Sequence, residues 1–213
     1  KPPHSPALVM AGAAMLWVGW YGFNGGSALA ANANAGMAIL VTHIAAATAS
    51  LTWMAIDWYK KGKPGLVGMV TGTIAGLATI TPASGYVDPQ SGFIIGLLAG
   101  SICYYFAGLI KETFKIDDSL DVFAVHGVGG MLGIVLVGFL ANESIGGTAG
   151  LLEGNSGQVT TQILGVVAVA AWCIIATYII VKIANSLFGL RVSKKHAQEG
   201  LDITSHGERG YHL

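Results

Sequence analysis

Six stretches of this 213-residue chain run for about twenty residues without a single Asp, Glu, Lys or Arg, and nothing else in the sequence constrains its fold so strongly. They fall near residues 6–23, 37–56, 65–81, 92–110, 122–142 and 159–181, the last extending toward Phe188. An α-helix of roughly 20 apolar residues crosses a hydrocarbon layer of about 30 Å and closes its backbone hydrogen bonds within itself. The pattern predicts an all-α integral membrane protein with six transmembrane helices. Charged residues make up 10% of the chain, too few to coat a water-facing exterior. That argues against a soluble enzyme, a disordered tail and a nucleic-acid-binding domain with its basic surface.

The connections carry the charge, and the basic part of it lies on one side. Lys1 precedes the first span; Lys60, Lys61 and Lys63 separate the second from the third; Lys111 and Lys115 separate the fourth from the fifth. Lys182, Arg191, Lys194, Lys195 and Arg209 follow the core of the sixth. The alternate connections, 24–36, 82–91 and 143–158, hold no basic residue. Basic residues near span ends stay preferentially in the cytoplasm, so both ends of the chain are expected there, on a multi-pass protein of the cell (plasma) membrane. Residues 1–192 read as the membrane part and 193–213 as a polar cytoplasmic tail. The opening Lys-Pro-Pro-His, in place of Met and a cleavable apolar segment, reads as an interior cut of something longer.

Glycines four apart, Gly22 and Gly26, Gly72 and Gly76, Gly96 and Gly100, Gly129 and Gly133, let helix backbones approach closely, and plain bundle packing suffices for most of them. Cys103 and Cys173 lie inside apolar runs and read as small buried hydrophobes rather than as a disulfide or metal ligands. No cofactor or metal site is expected.

An ionisable group inside a span is a functional hypothesis by default. His126 lies in the fifth span, beside Gly127, Gly129 and Gly130, which are expected to bare the surface around it, and reads in two ways: as a bundle histidine bonded to a neighbouring carbonyl, or as a neutral donor and acceptor past which a small polar solute moves. His43, on an alanine-rich span with no carboxylate near it in sequence, reads better as packing. Trp20, Phe23, Asn24 and Ser27 share one helical face at the outer end of the first span, either an interfacial aromatic belt or a place where rings and a hydroxyl hold a small cation. Asp117, Asp118 and Asp121 precede the fifth span; the first two suit a helix cap, while Asp121 caps or ties spans together. Thr81 to Gly85 closes the third span and requires no more than an outward turn.

Four motifs, in order, resemble the signatures of the Amt/Rh ammonium transporters: Gly19 to Ser27, Gly76 to Gly85, Asp121 to Gly127 and Gly200 to Glu208. The resemblance covers nearly the whole chain and points to the carboxyl-terminal half of that fold. It implies the second five-helix inverted repeat plus the last helix of an eleven-helix transporter, the amino-terminal half lying elsewhere in the same protein. It implies ammonium or ammonia as substrate, with methylammonium as analogue. Ser27 then recruits the cation at the outer vestibule, Phe23 is one of two gating rings, Trp20 lines the upper pore and His126 is one of a histidine pair along a hydrophobic channel. Asp121 and Asn24 take structural places near the pore. A homotrimer is implied, as is a PII-type signalling protein docked on the tail at Arg191, Gly200, Leu201, Asp202, Ser205 and His206, with His206 and His212 as surface or contact residues. Two rivals are a rhomboid-like intramembrane serine protease built on Ser27 and His126, and an ammonium sensor that keeps the transporter architecture. The enzyme is disfavoured because a serine nucleophile needs a base within hydrogen-bond reach, and His126 is expected deeper than Ser27.

Overall fold

The computed structural model describes residues 3–210, so the readings of Lys1 and His212 lie outside the described residues. Their regular elements are all helical, and five of these helices are long and apolar enough to cross a membrane. The chain packs as two compact units, one reaching to Val166 and the other starting at Val167. That division by packing falls inside the last long helix, whereas the expected division by polarity lies at 192–193.

In the first unit, each helix begins and ends on local chemistry. α1 (Pro6–Gly26) starts where the Ser5 hydroxyl accepts from the Leu8 N–H at 3.4 Å, with Pro6 in the first position, where a missing N–H costs no helical bond. α2 (Ala33–Lys61) starts on the Asn32 side chain, which accepts from the Ala35 N–H at 3.0 Å, and stops at Gly62 with φ +74°. α3 covers Leu66–Ile80, 15 residues against the 17 expected: Gly65 is its extended N-cap, and Pro82 cannot extend the hydrogen-bond ladder past Thr81. At 1.5 Å per residue it is about 22 Å long, short of a full crossing on its own. α4 (Pro89–Gly108) is capped by Asp88, which accepts from the Ser91 N–H at 2.8 Å, and runs on as a wider π turn, Leu109–Thr113. The fifth span opens as a second π turn, Phe123–Val128, before continuing as α5 (Gly129–Leu140). Asp118 caps it, its two carboxylate oxygens accepting from the Val122 and Phe123 N–H groups at 2.9 Å each. A short α6 (Glu143–Gly146) and a 3₁₀ turn (Leu151–Glu153) lead into α7 (Gly157–Phe188).

α2 is the axis of this unit, with α1, α3 and α4 packed on it and α5 packed on α3. The contacts are close because glycines meet backbone. A methyl at Gly76 would lie 2.5 Å from the Ala45 carbonyl oxygen, at Gly96 2.6 Å from that same oxygen, and at Gly100 2.8 Å from the Ala49 oxygen. Gly133 sits directly against the Thr79 carbonyl. Without water to expel, such van der Waals contact is what holds membrane helices together. Gly22 and Gly26 differ: open space surrounds both. Two cores result. One gathers Val41, Ala45, Ile80, Val87, Ile95 and Val137; the other, toward the lysine-rich ends, gathers Trp53, Ala75, Cys103, Ile110, Ala124 and Val125.

Cys103 is fully buried and free, as a small hydrophobe should be, but Cys173 is exposed on α7. The expectation of burial fails there because no residue of α7 is buried, although the helix is apolar all round. In the second unit, α7 leads to α8 (Lys194–Glu199), whose cap is Ser193, and to a π turn, Asp202–His206, bounded by Gly200 at φ +98° and Gly207 at φ +67°.

Candidate functional site

Three of the side chains singled out in the sequence sit on α1 and a fourth, Ser27, caps its end, and the helix geometry separates them. At 100° per residue, Phe23 and Asn24 mark the two edges of an arc about 100° wide that also contains Trp20 and Ser27. Asn24 turns into the bundle, where it is 3% exposed and donates from Nδ2 to the Thr42 hydroxyl at 2.9 Å. Thr42 in turn donates to the Ala38 carbonyl at 2.6 Å. Asn24 is therefore a cross-tie between α1 and α2. Ser27 ends the helix, exposed, with its hydroxyl donating to the Phe23 carbonyl at 2.8 Å. Phe23 and Trp20 face an open groove.

The second wall of that groove comes from the π turn. Its wider ladder turns two successive residues, Ala124 and Val125, into the core and returns His126 to the open side. Single π turns of this kind recur at functional sites. The His126 imidazole lies 6.4 Å from the Trp20 ring, centre to centre, with the planes 14° apart. Phe23 meets Trp20 edge-on at 5.9 Å and 81°. Together with Gly12, Met15, Leu16 and Gly19 they line a groove of about 750 Å³. Its wall is apolar apart from the imidazole, because the indole N–H is engaged by the Thr81 hydroxyl, which does not line the groove.

Two expectations about this site change. The glycines after His126 do not all bare its surroundings: Gly129 packs inward on the Thr79 hydroxyl and Cys103, and Gly127 lies against the Phe123 ring. The bare backbone of the groove belongs to Gly12 and Gly19 of α1, at both of which a side chain would meet open space. Their spacing with Leu16 and Phe23 (four, three, four) marks one helical stripe, a signal readable in the sequence. The other change concerns His43. It is exposed rather than packed in the bundle, stacked on Trp17 at 5.4 Å, with its Nδ1 2.7 Å from the Tyr21 hydroxyl.

Asp121 stands at the entrance to the π turn with φ +55°, and its carboxylate pairs with Lys111 Nζ at 2.6 Å, which ties the end of α4 to the start of the fifth span. A second group of charges lies where α2 ends: the buried Asp57 pairs with Lys61 at 2.6 Å, and Lys60 lies over the Tyr104 ring at 5.1 Å. In the tail, Arg191, Leu201, Asp202, Ser205 and His206 are exposed, Gly200 is half-buried, and the Thr204 hydroxyl donates to the Gly200 carbonyl at 3.0 Å.

Residues 1–211 match the sequence profile of the Ammonium Transporter Family. The chain belongs to that family. It is 50% identical to the ammonium transporter Amt1 of Archaeoglobus fulgidus over 209 residues, 98% of this chain and 53% of the relative. The fold is similar to the crystal structure of Saccharomyces cerevisiae Mep2, with a TM-score of 0.86, 39% identity, and coverage of 91% of this chain and 45% of the other. It is also similar to a structure described as a sensor Amt protein, with a TM-score of 0.87, 33% identity, and coverage of 95% and 49%. The chain spans about half the length of the curated relatives it matches. Membership of an ammonium transporter family leaves the protease reading without support, and the site adds none: the Ser27 hydroxyl is engaged by the Phe23 carbonyl and lies outside the groove that holds His126.

Proposed function

We propose that the complete protein of this ammonium transporter chain carries ammonium across the plasma membrane, shedding a proton at the outer end and passing ammonia through an apolar path beside His126. The observation that carries the reading is the stacked Trp20–His126 pair on the wall of an otherwise apolar groove at membrane depth, with Phe23 at its side. Taking an intact ammonium ion through hydrocarbon costs several kcal/mol at least. Loss of one proton removes most of that cost, and a potassium ion has none to lose, so the same wall passes one and rejects the other. A neutral imidazole serves the amine as donor or acceptor without trapping it by charge.

In this reading Ser27 recruits the cation, Phe23 gates, Trp20 lines the upper path and His126 is one of a histidine pair whose other member lies in the absent half. Asn24 and Asp121 brace the path. The six apolar helices form the second inverted repeat and final helix of an eleven-helix protomer, and the absent half covers the groove, with inverted repeats meeting around a midplane site. The protomer assembles as a homotrimer with both ends of this chain in the cytoplasm, where a PII-type protein docks on Arg191, Gly200, Leu201, Asp202, Ser205 and His206. In proteoliposomes holding the full-length protein, ammonium and methylammonium enter and potassium does not; no flux above that of empty liposomes overturns the proposal. A sensor is the second reading, favoured by the similarity to the sensor Amt protein, and it is distinguished by ammonium binding without flux.

A further inference from the structure

We infer that Thr81 is a positioning residue for the transport path, holding the Trp20 indole nearly parallel to the His126 imidazole; this rests on the reading of Trp20 and His126 as pore groups. Trp20 Nε1 donates to the Thr81 hydroxyl at 2.8 Å, across 61 residues of sequence. That hydroxyl has one proton, and it is committed to the Leu77 carbonyl at 2.7 Å. Thr81 can therefore only accept from the side chain that faces it, and an indole N–H can only donate. The pairing has a fixed direction and a fixed anchor, the residue that directly follows α3.

Packing fixes one face of the ring only. Trp20 is half-buried, one side packed against the core around Trp53, Ala75 and Cys103 and the other bordering the groove. The hydrogen bond supplies the missing constraint. With the N–H held at Thr81, the indole plane lies within 14° of the imidazole and presents its edge relation to Phe23. Losing the acceptor leaves a donor without a partner beside an apolar groove, and the ring turns to find one. The wall past which the amine moves would then be neither flat nor apolar. The turn from Thr81 to Gly85 thus does more than reverse the chain: its first residue reaches back into the site.

The test uses the full-length protein in proteoliposomes and a double-mutant cycle on methylammonium uptake. Thr81→Val keeps the shape and removes the hydroxyl, and is expected to lower uptake by about 3- to 10-fold, one neutral hydrogen bond expressed as a rate. Thr81→Ser keeps the hydroxyl and retains uptake within about 2-fold of the parent. In a Trp20→Phe background, Thr81→Val has no further effect, because the two residues act as one unit. Thr81→Ala runs the same cycle where Val lowers the yield of folded protein. The inference is overturned if Thr81→Val lowers uptake by the same factor in both backgrounds, or if Ser is as impaired as Val. Unchanged uptake in Trp20→Phe alone is a different failure: it removes the pore role of Trp20, and the inference with it.

Discussion

Trp20, Phe23 and His126 were legible as candidates, His126 as an ionisable group inside a span and the two rings by the helical face they share with Asn24 and Ser27, and the structure brings all three to one groove. Asn24 was legible as polar and out of place, but its partner was not: a hydrogen bond to Thr42 depends on how α1 crosses α2, which no local spacing encodes. Thr81 was passed over for the same reason, since its turn chemistry explained it without the Trp20 indole 61 residues away. The Asn24–Thr42 bond is buried, so Asn24→Ala leaves a hydroxyl with one fewer partner inside the bundle. It should cost about 1–3 kcal/mol of stability, read as a lower midpoint for denaturant unfolding in detergent. An unchanged midpoint would show that α1 is held by apolar contact alone.

At the scale of the helices, apolar runs located the helices to within a few residues, five of them long enough to cross a membrane, while two features escaped them. Hydrophobic run length does not distinguish an α-helix from a π turn, so the wider turn at Phe123–Val128 that returns His126 to the open side had no signature. The reach of α3 was overestimated because Gly65 and Thr81 are uncharged, so the run continues past both ends of the helix. The glycine pairs offer a sharp contrast. Gly76→Ala drives a methyl to 2.5 Å from the Ala45 carbonyl, and should lose about 1–3 kcal/mol, as overpacking of a tight contact does. Gly22→Ala meets open space within this chain and should leave its folding unaffected or slightly improved, since alanine is the better helix former. Thermal unfolding of both variants side by side measures the difference; equal losses would mean that spacing, not backbone contact, had been read.

Over the whole molecule, the distribution of lysines orients the proposal, and the exposed apolar faces show where it is incomplete. α1 buries only Ala13, Asn24 and Gly25, and α7 buries nothing, although both are apolar enough to span a membrane. Cys173 was misread for that reason: burial within a chain and burial within lipid or an assembly look alike in composition. The one-sided basic residues predict that, in a cysteine-free full-length protein, Lys63→Cys reacts with an impermeant maleimide only from the cytoplasmic side and Gln90→Cys only from the outside. Both positions are exposed, so access is set by sidedness alone. The reverse pattern would invert the topology, and with it the direction in which the proposed path runs. Whether an amine passes the His126 imidazole as a neutral molecule is read from His126→Ala in the full-length protein, with methylammonium uptake recorded against potassium entry in the same proteoliposomes. Uptake is expected to slow, or discrimination against potassium to be lost. Flux and selectivity both indistinguishable from the parent would contradict the proposed neutral passage.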